Sequence, residues 1–240
     1  MVGYEGGGWE SFYVLDLQDW STRAVRDTYL DCSAIAITSD SRYALMGNDF
    51  DTFAIRVYDM QSLEVVRNLA GHGPGNWVRD IVITPDDRHA LSAASSHIKV
   101  WDLENGREVA TTDDTGKIQA LALTPDARYV LSGSVDMFIK IWDWRTGKKV
   151  EQIVSGHTKA ISDLAITPDG RHVVSSSVDG TLKIWDWQRN ILKHTCTGHR
   201  DSVKAIAITP DGERVISASS DCTVRQWDIH TGEQLPLSPT

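Results

Sequence analysis

Cysteine is scarce: the 240 residues contain three, Cys32, Cys196 and Cys222. The number is odd and no C-x-x-C pair occurs, so reduced, mostly buried thiols are expected rather than a disulfide framework or a zinc site. No apolar run is long enough to span a bilayer. The opening "MVGYEGGGWE" lacks a basic segment leading into an apolar block, so it does not read as a secretion signal, and a cytoplasmic location is expected. Basic residues are outnumbered, 24 Lys and Arg against 33 Asp and Glu, and the formal net charge of −9 argues against generic binding to nucleic-acid phosphates. P-loop and kinase signatures are missing. His89, His97, His172, His194 and His230 share no metal-ligand spacing, so neither a metal nor another cofactor is expected. A helical hydrophobic period sustained over three turns is also lacking. The 41% hydrophobic content is nevertheless ample for a core, and the scattered glycines and prolines mark turns rather than a linker.

What the chain does have is repetition. "SVDMFIKIWDW" at 134–144 returns as "SVDGTLKIWDW" at 177–187 and as "SSDCTVRQWDI" at 219–229. Aligned on the Asp that closes each copy, Asp16, Asp59, Asp102, Asp143, Asp186 and Asp228 stand 43, 43, 41, 43 and 42 residues apart. A second marker keeps the same frame: "TSD" at 38–40 and "TPD" beginning at 84, 124, 167 and 209. Each unit holds short β-branched and aromatic runs, such as "ISDLAIT", "HVVSSS", "TLKIWDW" and "NILKHTC", separated by turn signals such as "PDGR" and "VDG". Four strands per unit at this period predict small antiparallel sheets repeated radially, each covering its neighbour.

These motifs resemble the WD-repeat family: the Gly-His pairs at 71–72, 156–157 and 198–199, the "TPDG" turn, an Asp six residues before a Trp, and the closing Trp-Asp. The resemblance covers about residues 28–235 and extends to bacterial arrays of such repeats attached to signalling ATPases or kinases. It implies an all-β fold, a β-propeller of four-stranded antiparallel blades. Five complete WD repeats are expected over 28–237, after an N-terminal partial blade at 1–27 that supplies the last two strands of a sixth and before a short tail at 238–240. Closure of the ring is then incomplete, with three expectations: segment 1–12 improvises part of the blade, a second chain completes the sheet by self-association through the open edge, or the chain is a fragment of a longer protein, such as a sensor module of a signalling protein.

By the same resemblance, His157, Ser175, Asp179 and Trp185 form one hydrogen-bonded set inside a blade, and His199, Ser217, Asp221 and Trp227 form another. Although they look like a Ser-His-Asp triad, a catalytic triad needs one exposed nucleophile, whereas these groups recur in successive units, so no enzyme is expected. Earlier units depart from the pattern. Asp114 stands where a His would fall, Ser96 replaces the turn Asp, and Tyr58 and Met46 replace Trp and Ser. Stability is therefore expected to rise toward the C-terminal units.

The resemblance implies a loop face around the channel that binds a protein or peptide. The matching positions carry Asp31, Ser33, Phe50, Trp77, Arg79, Lys117, Gln119 and Lys204, a varied set in contrast to the repeated quartets. Trp77, Arg79 and the lysines suit an acidic or apolar segment, with no nucleic acid and no membrane as partner. Glycan or small-molecule binding between blades, using Trp144 and Trp187, is the alternative, and a propeller hydrolase a further one.

Overall fold

The computed structural model describes residues 2–4, 11–15, 22–26, 32–48, 55–73, 75–114 and 116–236. Every regular element among them is a strand. An antiparallel three-stranded sheet comes first, in the order β1 (Val2–Tyr4), β2 (Ser11–Leu15), β3 (Thr22–Arg26). The repeat pattern predicts two strands there; β1 adds a third along β2, with Val2 opposite Val14 and Tyr4 opposite Phe12.

Five four-stranded sheets follow, each ordered as in the chain. They are β4 (Cys32–Ile37) with β5 (Tyr43–Asn48), β6 (Ile55–Asp59) and β7 (Val65–Leu69); then β8 (Val78–Ile83), β9 (His89–Ala94), β10 (His97–Asp102) and β11 (Glu108–Asp113). Next come β12 (Ile118–Leu123), β13 (Tyr129–Ser134), β14 (Phe138–Asp143) and β15 (Lys148–Val154), then β16 (Ile161–Ile166), β17 (His172–Ser177), β18 (Leu182–Asp186) and β19 (Ile191–Cys196). The last is β20 (Val203–Ile208), β21 (Arg214–Ser219), β22 (Val224–Asp228) and the two-residue β23 (Gln234–Leu235). The expected all-β architecture of four-stranded antiparallel blades is what the chain adopts. Two compact units are distinguished, Met1–Ser95 with Trp101–Val109, and Ser96–Val100 with Ala110–Thr240.

Both sequence markers are turn devices. In each Thr-x-Asp turn the Thr hydroxyl donates to the Asp, at 2.5 Å for Thr167–Asp169, while Thr167 Oγ1 accepts the His172 amide at 3.0 Å and Asp169 accepts the Arg171 amide at 2.9 Å. The turn between first and second strand is thereby closed by side chains, which explains why the pair recurs at Thr38, Thr84, Thr124 and Thr209. The Asp of each Trp-Asp pair caps the turn between third and fourth strands; Asp228 accepts the His230 and Thr231 amides, both at 2.8 Å. Apolar residues alternating along the strands fill the space between sheets. Leu45, Val57, Val78, Ile81 and Trp101 form one cluster in the first unit. In the second unit Leu131, Ile141, Ile161, Leu164 and Trp185 form one cluster, and Val174, Ile184, Val203 and Trp227 another.

Candidate functional site

In the last sheet the four marked residues make one chain of hydrogen bonds. Trp227 Nε1 donates to Ser217 Oγ at 2.8 Å, Ser217 Oγ lies 2.8 Å from His199 Nε2, and His199 Nδ1 lies 3.0 Å from Asp221. With Nδ1–H donating to the carboxylate, Nε2 accepts the Ser hydroxyl. Asp221 also accepts the Arg200 and Thr223 amides at 2.9 Å and the Thr223 hydroxyl at 2.6 Å. The Thr223 hydroxyl and these neighbouring donors hold its carboxyl well below the usual carboxylate range.

The preceding sheet repeats most of this. His157 Nε2 lies 2.9 Å from Ser175 Oγ and Nδ1 3.1 Å from Asp179, which accepts the Thr158 and Thr181 amides at 2.9 Å and the Thr181 hydroxyl at 2.7 Å. Burial alone would raise Asp179, but these donors outweigh it and bring its pKa down to about 2. Burial pulls His157 below its ordinary value despite the carboxylate beside it. Trp185 departs from the expected quartet: its indole N–H is buried without a hydrogen-bond partner among the described residues. It is held by packing with Leu131, Leu164 and Val173 instead.

Two earlier sheets keep the scheme in altered form. Trp101 Nε1 donates to Ser92 Oγ at 2.8 Å, and His72 Nε2 lies 2.7 Å from the same oxygen. Gly71 is required there, since a Cβ would lie 2.8 Å from the Trp101 ring. In the β12–β15 sheet Trp142 donates to Ser132 at 3.0 Å, and Ser132 donates to Asp114 at 3.3 Å, so the carboxylate takes the bond that a His ring would accept. Lys140, 1% exposed, turns inward to pair with Asp114 and, at 2.5 Å, with Asp136. Burial pulls the Lys140 ammonium down, but its bonds to the two carboxylates prevail and raise it above the ordinary lysine value. Lys140 was not among the expected network residues.

Ser92, Ser132, Ser175 and Ser217 all have 0% exposure. A substrate cannot reach such a hydroxyl, so these groups do not serve as nucleophiles despite their triad-like order. They satisfy one another inside a sheet.

The loop ends differ. The Val178 amide donates to Ala160 O at 3.0 Å and the Ser220 amide to Ser202 O at 2.9 Å, so the loop before the first strand and the turn between second and third share one end of each sheet. There the pairing of first and second strands slips between Cys32 and Ala34, Val78 and Asp80, Ile118 and Ala120, Ile161 and Asp163, and Val203 and Ala205. Each slip leaves one unpaired residue: Ser33, Arg79, Gln119, Ser162 and Lys204. A β-bulge re-aims the side chain it carries, so Arg79 and Lys204 are exposed and Gln119 half-exposed. Trp77 is 44% exposed and the Arg79 guanidinium lies 4.9 Å from its ring centroid. Lys117 is exposed as well.

Ser33, which is exposed, has a structural tie as well. Its hydroxyl donates to Val78 O of the next sheet at 2.5 Å, as Ser162 does to Val203 O at 2.6 Å, so a small residue at the bulge ties sheets together. Asp31 and Phe50 lie outside the described residues. Trp144 and Trp187 are buried, and their indole N–H groups donate to Ala127 O and Gly170 O at 2.9 Å, which locks the Thr-Pro-Asp turn of their own sheet. Stacking of a sugar on Trp144 is blocked further by Arg145, whose guanidinium lies 4.2 Å from the ring centroid.

Comparison with known proteins agrees with this picture. The family model described as "WD domain, G-beta repeat" matches residues 63–102, 106–143, 148–186 and 190–228, each match reaching the Asp of a Trp-Asp pair. Of the five expected repeats, the one spanning β4–β6, with Tyr58 and Met46 in place of Trp and Ser, falls outside the four matches. The chain is similar to "Autophagy-related protein 16" of Arabidopsis thaliana, 32% identical over 53% of this chain and 24% of that protein. It is similar to "Target of rapamycin complex subunit LST8-1" of the same plant, 32% identical over 35% of this chain and 30% of that one. It also resembles "Small ribosomal subunit protein RACK1" of Caenorhabditis elegans, 28% identical over 41% and 30%. The chain thus spans about a quarter to a third of these relatives. All three are eukaryotic, and they lend no support to the expected likeness to bacterial arrays.

Proposed function

The chain belongs to the WD-repeat family, and from that membership we propose that it is a non-catalytic interaction module that holds a protein or peptide on the loop ends of its sheets. The observation that carries this reading is the contrast within one repeat. The recurring His, Ser and Asp are enclosed and mutually satisfied, while the bulge and loop positions carry varied, exposed Trp77, Arg79, Lys117 and Lys204. Two relatives named as a subunit of a target of rapamycin complex and as a small ribosomal subunit protein are, by those names, members of assemblies, which supports a scaffolding role.

Trp and Arg side by side are the types that anchor interfaces. Arg79 beside the exposed Trp77 at a loop end of the first unit favours an acidic partner segment with an apolar anchor. Affinity capture from the native host, followed by titration of the captured partner, tests this. Trp77→Ala with Arg79→Ala should weaken binding by about thirtyfold, as loss of an anchor worth ~2 kcal/mol does. Capture of the same partner with undiminished affinity would remove the loop end from the reading.

A further inference from the structure

Between the β12–β15 and β16–β19 sheets, at the end bearing the Thr-Pro-Asp turns, lies a cavity of about 540 Å³. Asp126, Arg128, Tyr129 and Glu151 line it from one sheet, Asp169 and Trp187 from the other. Three carboxylates and one guanidinium line it; Asp169 is also paired with Arg171 at 3.7 Å, and the Arg128 guanidinium already lies over the Tyr129 ring, 5.0 Å from its centroid. Tyr129 and Trp187 meet edge to face with centroids 6.1 Å apart. The hydroxyls of Thr124 and Thr167 and the turn amides hold Asp126 and Asp169 below the ordinary carboxylate value, so both stay ionised at neutral pH.

The first unit contains the corresponding cleft, and there the chain fills it itself. That cleft measures about 300 Å³ and is lined by Asp40, Tyr43, Leu103 and Arg67. Arg67 follows Asp59 by eight residues, as Glu151 follows Asp143, and Leu103 follows Asp102 as Trp187 follows Asp186. The Arg67 guanidinium donates to Leu103 O, and its stem runs against Gly106, where a Cβ would lie 2.7 Å from Arg67 Cδ. The second unit thus replaces a resident guanidinium by a carboxylate, enlarges the space and exchanges Leu for Trp.

We propose that the larger cleft takes an arginine side chain from a partner peptide, seated where Arg67 sits in its counterpart. A planar guanidinium matches the lining because it pairs with a carboxylate through two N–H groups, which a lysine ammonium does less well. This site is at the end of its two sheets opposite the bulges at Gln119 and Ser162 and does not depend on the loop ends.

The test follows the Trp187 indole N–H by ¹⁵N NMR on the whole chain while N-acetyl-arginine amide, its neutral citrulline counterpart or spermidine is added. A saturable shift with arginine, at least about fivefold weaker with citrulline and with spermidine, is the expected result. Glu151→Gln should weaken arginine about three- to fivefold, as one partly screened ion pair does. Glu151→Arg, at an exposed position, should supply the cleft with its own guanidinium and abolish the shift while leaving the melting curve intact. Equal binding of citrulline, tighter binding of spermidine, no shift at all, or a Glu151→Arg protein that binds like the parent would each overturn the assignment.

Discussion

Replacing Asp179 by Ala removes the acceptor of four hydrogen bonds: from His157 Nδ1, the Thr158 and Thr181 amides and the Thr181 hydroxyl. Water can reach the exposed Thr158 amide, whereas the His157 side chain has 0% exposure and keeps only Thr181 Oγ1, 3.1 Å from Nδ1, as an alternative. A hydrogen bond to a charged acceptor is worth about 1.5–3 kcal/mol. With solvent and Thr181 recovering part of the total, the net loss is about 2–3 kcal/mol, or a fall in Tm of about 4–12 °C for a chain of this size. The pH dependence separates this from generic damage. The carboxyl titrates at about 2 when folded and near ~3.9 when unfolded, so its contribution is complete above the unfolded value and is lost as pH falls toward the folded one. Calorimetric melts of parent and variant should therefore converge between about pH 4 and 2. Equal Tm values at pH 7, or a gap that persists unchanged to pH 2, would refute the reasoning.

Three further outcomes are expected. Lys140→Met leaves Asp114 beside Asp136 without their cation and should cost about 3–5 kcal/mol in urea titrations, most of it regained when Asp114→Asn is added. Cys222 sits at φ +64°, where Gly180 occupies the same turn position at +85°, so Cys222→Gly should stabilise by about 0.5–1 kcal/mol, the relief of left-handed strain less the added chain entropy; an unchanged or lower denaturation midpoint would count against it. Amide exchange should be slowest in β16–β19 and faster in β4–β6, which lacks a Gly-His pair, and in β20, whose residues 204, 205 and 207 are exposed; uniform protection would contradict this.

The strands and turns were legible because their determinants are local. A Thr two residues before an Asp closes the same turn five times, and β-branched alternation fixes which face is buried. The His-Ser-Asp sets were expected from the resemblance to WD repeats, whose motif positions this chain matches at fixed offsets. What escaped depends on neighbours. Lys140 occupies a position that carries a cation in every repeat, at Arg56, Lys99, Lys183 and Arg225; the one signal of its inward turn is Asp114 in place of a His. Bulges arise from pairing between strands, so the role of Ser33 could not be separated from that of Arg79 by position alone. The expected rise in stability toward the last unit rests on the fuller His-Ser-Asp sets of β16–β19 and β20–β23. The cleft beside Trp187 was also hidden, since it is built from the side of one repeat and the turn of the next.

The most direct measurement is a paired determination of Tm and partner affinity for Ser175→Ala, Ser217→Ala, Trp77→Ala and Arg79→Ala. The serine variants should melt lower while the folded protein binds normally, and the loop variants should melt like the parent while binding weakly. A serine variant that keeps its Tm and loses its partner would mean that the enclosed groups meet the ligand, and the separation of framework from recognition would fail.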